Sequence, residues 1–360
     1  MTTSCLMTSA VKRMRFAQWK MPLLFAVALC FLSACAEEAS SNLQVLRGQT
    51  MGTYWQVSIA EKHLPIEASA LQTGIEAELA AVNQSMSTYI PDSELMRWNR
   101  QRGSEAQTIS PELRHVVAKA LQISAQSEGM YDVTVGPLVN LWGFGLDKVQ
   151  TAPDEDTIVE VLSYTGYQHL QLSAEGLAKD HPQTQIDLSS IAKGYGVDRV
   201  ADYLQRQGLQ HFIIDIGGEV RMQGNRFGQA WRIGVEMPKH SGSRELESVI
   251  RVQDRQLSMA TSGNYRNFLN YEGMQAVHTI NPKTGKGAQS SLLSVTVLHE
   301  DCMSADAYAT ALMALGDRQA EDFATRYDLA VLFIFAGEQA GEFTLRTSPR
   351  YESVLKGDNP

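Results

Sequence analysis

Apolar residues change their spacing near residue 207, and that change limits the architectures open to the chain. Up to that point the recurrence is helical over Ile66–Met86, over Pro111–Ser127 and over Asp154–Ser163. Ser110 is a natural N-cap ahead of Pro111, and Gly129 ends the second of these segments. A fourth helix is expected after Ser189 or Ser190, running to about Gln207 and closed by Gly208. Strands are predicted around Gly48–Gly52 in "VLRGQTMGTYWQVSIA", and "HLQLSAEGLAKD" with "TQIDLS" reads as a hairpin leading inward. "MYDVTVGPLVNLWGFG" reads as a strand followed by an ordered loop. Beyond residue 207, "HFIIDIGGEVRMQG", "WRIGVEMP", "ESVIRVQDRQLSMATSG", "YEGMQAVHTI" and "LLSVTVL" carry alternation or short β-rich runs, with one helix, Ala305–Leu315, between Ser304 and Gly316. Mixed order of this kind predicts an α+β fold rather than a doubly wound parallel sheet.

The N-terminus stands outside that pattern. Lys12, Arg13, Arg15 and Lys20 precede the apolar run Met21–Phe31, which leads into Leu32-Ser33-Ala34-Cys35. A spanning helix needs roughly 20 apolar residues, so this shorter run reads as a bacterial export signal. Leu-Ser-Ala-Cys resembles a lipobox, which would make Cys35 an acylated first residue; ordinary cleavage near Ala34 or Ala36 is the alternative. The expected organisation is a signal over 1–34, a tether over 35–42, one domain over 43–350 and a tail over 351–360. The expected location is an exported lipoprotein anchored by its N-terminal lipid and facing the periplasm, at the inner membrane.

Cys5 and Cys30 would leave with the signal and Cys35 would carry lipid, so Cys302 alone remains and the mature chain can form no internal disulfide. The signal holds four basic and no acidic residues, so its removal takes the formal net charge from -9 to -13. Such an acidic body argues against nucleic acid as a partner. An anionic ligand would need local help from a helix N-terminus, a lysine or a metal ion.

"DLSSIAKGYGVD" (187–198) offers a Gly-x-Gly, but a non-glycine, Arg199, stands where a dinucleotide fingerprint needs its third glycine, and the pair lies inside a helix. Those glycines read as close packing. The helix start, with Asp187, Ser190 and Lys193, could bind phosphate or could be an ordinary capped helix. In "SADAYATALMALG", Asp306 and Thr310 are four apart and share a helical face; they could give oxygens to Mg²⁺, or Thr310 could bond back to its own turn. No zinc spacing, Walker sequence or nucleophile elbow occurs. His278, just before the turn Asn281-Pro282-Lys283-Thr284-Gly285, could serve in acid–base work or be structural. Met51, Met86, Tyr89, Tyr131, Trp142 and Phe144 flank glycines and turns, where they could clasp a flat ring or simply pack.

Eight blocks, "GQTMGTYWQV", "NQSMSTYIPDSELMRWN", "GMYDVTVGPLVNLWGFG", "IDLSSIAKGYGVDRV", "DIGGEV", "ATSGNYRNF", "HTINPKTG" and "SADAYATALMALG", together resemble the ApbE family of bacterial flavin transferases, in order and spacing from about Arg47 to Gly316. The resemblance implies an α+β, T-fold-like architecture of mainly antiparallel sheets with packed helices. It implies Mg²⁺-dependent transfer of FMN from FAD to a threonine or serine of a target protein through a phosphoester bond, with AMP released. The acceptors it implies are Na⁺-translocating quinone reductase or related electron-transport subunits. Carried over by motif, metal would be held by Asp306, Thr310 and the Ser190 carbonyl. FAD would contact Met51, Tyr89, Met130, Tyr131, Asp132, Asp187, Lys193 and Ile280, and Asp306 or His278 would act as general base. The chain has Asn281 where the family commonly has Asp. A periplasmic FAD pyrophosphatase and a non-catalytic flavin-binding lipoprotein are the competing readings.

Overall fold

The computed structural model describes residues 43–145, 149, 151–236, 246–264, 268–271, 274–277, 279–288, 290–339, 341–358 and 360. The expected signal, Cys35, the tether and His278 lie outside the described residues.

Two strands, β1 (Gln44–Thr50) and β2 (Thr53–Ile59), lead into the helices α1 (Ala68–Met86), α2 (Glu94–Asn99), α3 (Pro111–Gln126), α4 (Gly136–Leu141) and α5 (Glu155–Leu162). The hairpin β3 (Leu170–Leu172) and β4 (Leu177–Lys179) precedes α6 (Ala192–Arg206). Then come β5 (Phe212–Ile216), β6 (Glu219–Gly224), β7 (Trp231–Glu236), β8 (Leu246–Val252), β9 (Arg255–Gly263), β10 (Phe268–Tyr271), β11 (Met274–Val277) and β12 (Leu292–His299). The chain closes with α7 (Cys302–Leu315), α8 (Asp317–Arg326), β13 (Ala330–Ala336), β14 (Phe343–Thr347) and α9 (Pro349–Leu355).

The fold is α+β, around an eight-stranded sheet in the order β1-β2-β5-β6-β9-β12-β13-β14. Every neighbouring pair in it is antiparallel. Strand alternation explains how both faces are buried. In β13, Val331, Phe333 and Phe335 join a core with α3 and α7, while Ala330 and Leu332 join another with the β7–β8 hairpin and α9. An unbroken apolar strand is what a sheet covered on both sides requires. Toward the β1 end, Trp55, Val57 and Ile59 of β2 and Phe212, Ile214 and Ile216 of β5 pack with Leu71, Ile75 and Leu79 of α1. Those α1 residues recur every four positions, the spacing of one helical face.

Local chemistry sets several boundaries as expected. Ser110 accepts from Leu113 N at the start of α3, Asp154 accepts from Thr157 N ahead of α5, and Gly208 follows α6 at φ +86°. Other boundaries differ. The helix expected from Ala305 begins at Cys302, because Asp301 rather than Ser304 caps it by accepting from Ser304 N. The strand expected in "MYDVTVG" is a turn leading into α4, because the Asp132 carboxylate takes Thr134 N and ties the backbone back. "TQIDLS" is not a strand: Asn99 bonds both Ile186 N and Ile186 O, and Asp187 N donates to Val133 O, so its backbone is satisfied without a ladder. The expected boundary at residue 350 falls inside α9, whose Tyr351 and Val354 are buried.

Candidate active site

Two helices that touch at an unusually short range frame the site. The backbone N–H of Gly194, in the first turn of α6, donates to Asp306 Oδ2 on α7 at 3.0 Å, joining residues 112 apart in the chain. A Cβ at residue 194 would lie 2.3 Å from Cys302 O and 2.9 Å from Asp306 Cβ, so only glycine permits the approach. At residue 196 a Cβ would meet Met51 Cε at 3.0 Å. The Gly-x-Gly is therefore a packing device, with one glycine seating α7 and the other seating the β1–β2 turn. Met51 itself sits in that turn at φ +50°.

Ser190 precedes α6, and neither it nor Ser189 caps the helix, which has no side-chain cap bond. Asp187 instead accepts from Ser189 N at 2.8 Å, and the Ser190 hydroxyl donates to Tyr131 Oη at 3.0 Å. Burial pushes the Tyr131 phenol far up, with Asp306, Asp132 and Asp187 pushing it further against the Ser190 bond. Five of the expected site residues, Tyr131, Ser190, Asp306, Asp132 and Asp187, thus share one electrostatic neighbourhood.

Lys193 turns toward the sheet, where Nζ pairs with Glu219 Oε1 at 2.5 Å. Burial raises the pKa of the Asp306 carboxyl, opposed by the Lys193 ammonium and the Gly194 N–H. Burial likewise pushes the Glu219 carboxyl up, against Lys193 and with Asp306, to about 8. The Lys193 ammonium loses from burial but gains more from those carboxylates and stays charged. Two carboxyls sharing one ammonium titrate as a set. Glu219 Oε2 is buried and has no hydrogen-bond partner among the described residues.

The oxygens fit a hard cation. Asp306 is buried, and the Gly194 bond to Oδ2 is the one hydrogen bond its carboxylate accepts among the described residues. Thr310 is half-buried, with Oγ1 3.4 Å from Ser262 Oγ. A carboxylate, a hydroxyl and a backbone carbonyl suit Mg²⁺, which keeps waters and takes substrate phosphates. No cluster of three or more His, Cys, Asp or Glu side chains able to hold a metal occurs among the described residues.

The other expected flavin contacts are distributed around this centre. Asp132 is committed to two backbone segments: Oδ1 takes Thr134 N and Oγ1 in its own turn, and Oδ2 takes Tyr167 N, beyond α5, at 2.6 Å. The buried Met130 lines a cleft of about 760 Å³ with Asn281, Thr284, Ser290 and Gly316. Ile280 is buried among Leu138, Trp142 and Ile158, and the Trp142 indole donates to Gly285 O, which ties the 281–286 turn to α4. Tyr89 is 65% exposed between α1 and α2, and no hydrogen bond, ion pair or ring contact among the described residues joins it to the α6–α7 pair. Asn281 Oδ1 accepts from Lys283 N and Thr284 N, so here the residue starts a turn.

Glu219, Arg221 and Asp198 escaped the sequence reading. A signal existed: Glu219 and Arg221 alternate with Val220 and Met222, and all four are buried. Charged residues on a strand buried on both faces need partners. Arg221 Nη1 finds Asp198 Oδ1 at 2.7 Å.

Residues 51–333 match the profile of the ApbE family. An FAD:protein FMN transferase of Vibrio cholerae is 40% identical over 313 residues, covering 86% of this chain and 92% of that protein. One from Salmonella typhimurium is 35% identical, covering 94% and 99%. The solved structure of the flavin transferase ApbE from Vibrio cholerae superposes with a TM-score of 0.79 at 38% identity, covering 87% of this chain and 99% of that one.

Proposed function

This chain belongs to the ApbE family, and from that premise we propose that it is an FAD:protein FMN transferase, requiring Mg²⁺ and acting on a protein that faces the periplasm. The observation that carries the reading is the Gly194–Asp306 bond, which brings the lysine-bearing start of α6 against the oxygen donors of α7. Phosphoryl-type transfer needs little more than an aligned nucleophile and neutralised charge.

In this reading Asp306, Thr310 and the Ser190 carbonyl hold Mg²⁺, which when bound would neutralise charge on the FAD pyrophosphate. Lys193, held by Glu219, adds a fixed positive charge beside it. The acceptor's threonine or serine oxygen forms the new bond to the FMN phosphorus, the pyrophosphate P–O bond breaks, and AMP leaves. The hydroxyl proton passes to a base on this chain, Asp306 or His278. Met51, Tyr89, Met130, Tyr131, Asp132, Asp187 and Ile280 surround the flavin nucleotide, with Asp132 and Ile280 acting through backbone they hold in place. The acceptor class is a Na⁺-translocating quinone reductase or related electron-transport subunit, reached from a Cys35-anchored position on the inner membrane.

The test is incubation of the mature protein with FAD, Mg²⁺ and such a subunit. A fluorescent covalent band that disappears with EDTA or on replacing the acceptor threonine is expected. No band with the threonine intact would sink the reading, and AMP release without acceptor would point to a pyrophosphatase instead.

A further inference from the structure

Asp198 belongs to none of the metal or flavin positions above, yet it makes the second bridge between α6 and α7. Its Oδ2 accepts from Met303 N at 2.9 Å, and its Oδ1 accepts from Cys302 N at 3.0 Å and from Arg221 Nη1 at 2.7 Å. These are first-turn N–H groups with no partner inside α7. Asp301, the helix's own cap, takes Ser304 N, at 2.7 Å.

The two bridges are in phase. Asp198 follows Gly194 by four residues, so both lie on one face of α6; Asp306 follows Cys302 by four, so both lie on one face of α7. One turn back along α6 corresponds to one turn forward along α7. Behind α6, Glu219 and Arg221 project from the same face of β6, two residues apart, and grip Lys193 and Asp198 respectively. The two pairs have opposite polarity, acid on the strand to base on the helix and then the reverse, which opposes a slip of α6 that would set like charges together. Asp198 and Arg221 are nearly buried, with side-chain exposures of 13% and 8%. In such surroundings an unmatched charge is costly.

We propose that Asp198 is a positioning residue for the metal half-site on α7. By holding two consecutive N–H groups of α7 and anchoring on Arg221, it fixes the rotation and axial register of that helix. Asp306 and Thr310 are thereby kept opposite the Ser190 end of α6. The proposal rests on the reading of Asp306 and Thr310 as Mg²⁺ ligands. A carboxylate is required because both oxygens accept; the amide introduced by Asp198→Asn would set an N–H against one backbone N–H or the guanidinium.

The experiment compares the wild-type protein with Asp198→Asn, Arg221→Lys and Asp301→Ala, using Mn²⁺ alone as probe and the EPR signal of the free aquo ion as readout. FAD affinity in EDTA and thermal unfolding are followed in parallel. Asp198→Asn is expected to weaken Mn²⁺ binding about 10- to 100-fold, the range for groups that orient metal ligands, with FAD affinity in EDTA within about threefold of wild type and activity recovering at high Mg²⁺. Arg221→Lys, which keeps the charge, should show a smaller loss and serves if Asp198→Asn does not fold. Asp301→Ala removes the helix's own cap without touching α6 and should lower Tm while leaving Mn²⁺ affinity intact. Equal Mn²⁺ affinity in wild type, Asp198→Asn and Arg221→Lys would overturn the proposal, as would an equal loss in Asp301→Ala. A wild-type protein that binds no Mn²⁺ would overturn the metal reading itself.

Discussion

The Gly194 N–H lies 3.0 Å from Asp306 Oδ2, across a helix contact with no room for a methyl group. Gly194→Ala would press a Cβ onto the Cys302 carbonyl and force α6 and α7 apart. Overpacking of this kind costs about 1–3 kcal/mol, and a shift of about 1 Å at a reacting centre costs on the order of 100-fold in rate. The expected outcome is a folded protein with a modestly lowered Tm and a flavin-transfer rate down by about two orders of magnitude. Calorimetry beside the acceptor assay checks it; wild-type turnover would show that the helix contact does not set the chemistry.

Glu219 faces Lys193 at 2.5 Å, so Glu219→Gln should release the ammonium from its fixed position. Removing one partner of a covered pair commonly costs about 2 kcal/mol or more, and the expected result is a KM for FAD raised by about tenfold or more. Lys193→Met should raise it further. If Glu219→Gln alters only thermal stability, Lys193 is not held for substrate.

Asn281 uses its side-chain oxygen as a turn acceptor for Lys283 N and Thr284 N. Aspartate offers the same acceptor. Asn281→Asp should leave kcat and KM within about twofold of wild type. A gain of tenfold in either would mean that the carboxylate acts on substrate or metal.

Lys179 is buried, with its ammonium on the carbonyls of Asn99 and Thr184 and 4.9 Å from the Trp98 ring centroid. Burial, with a smaller push from Arg102, lowers its pKa to about 8 from an ordinary 10.5. Between those values the unfolded chain binds more protons than the folded one, so this group makes stability rise with pH from about 8 to 10.5. Tyr131, raised by burial, acts oppositely and its contribution is lost above an ordinary 10. The stability difference between wild type and Lys179→Met, taken from denaturant melts at pH 7.5 and 9.5, should shift in favour of wild type at the higher pH. A difference independent of pH would show that Lys179 titrates normally.

The long amphipathic helices, the β3–β4 hairpin and the Ser110 cap of α3 were legible because they rest on local spacing and local hydrogen bonds. The caps expected at Ser304 and at Ser189 or Ser190 were not the ones used. The "MYDVTVG" turn and the start of α7 were misread because a local carboxylate, Asp132 or Asp301, takes a backbone N–H, whereas "TQIDLS" was misread because its backbone is satisfied from afar. Asn99 reaches Ile186 across 87 residues, and no local pattern around "TQIDLS" reports it. β13 reads as a plain apolar run, which periodicity cannot assign. At the site, Asp306, Thr310, Ser190 and Lys193 were nameable from their motifs. Asp198, Glu219 and Arg221 were not, since each acts through a partner on another element.

From Cys302 to Ala309 every residue of α7 is buried, including Asp306. A helix enclosed on all sides exchanges its central amides only when the surrounding core opens. Loss of the site and loss of the fold should therefore be one cooperative event. Heat inactivation ought to follow the unfolding curve, and the most slowly exchanging protons of the molecule should include those beside the proposed ligand.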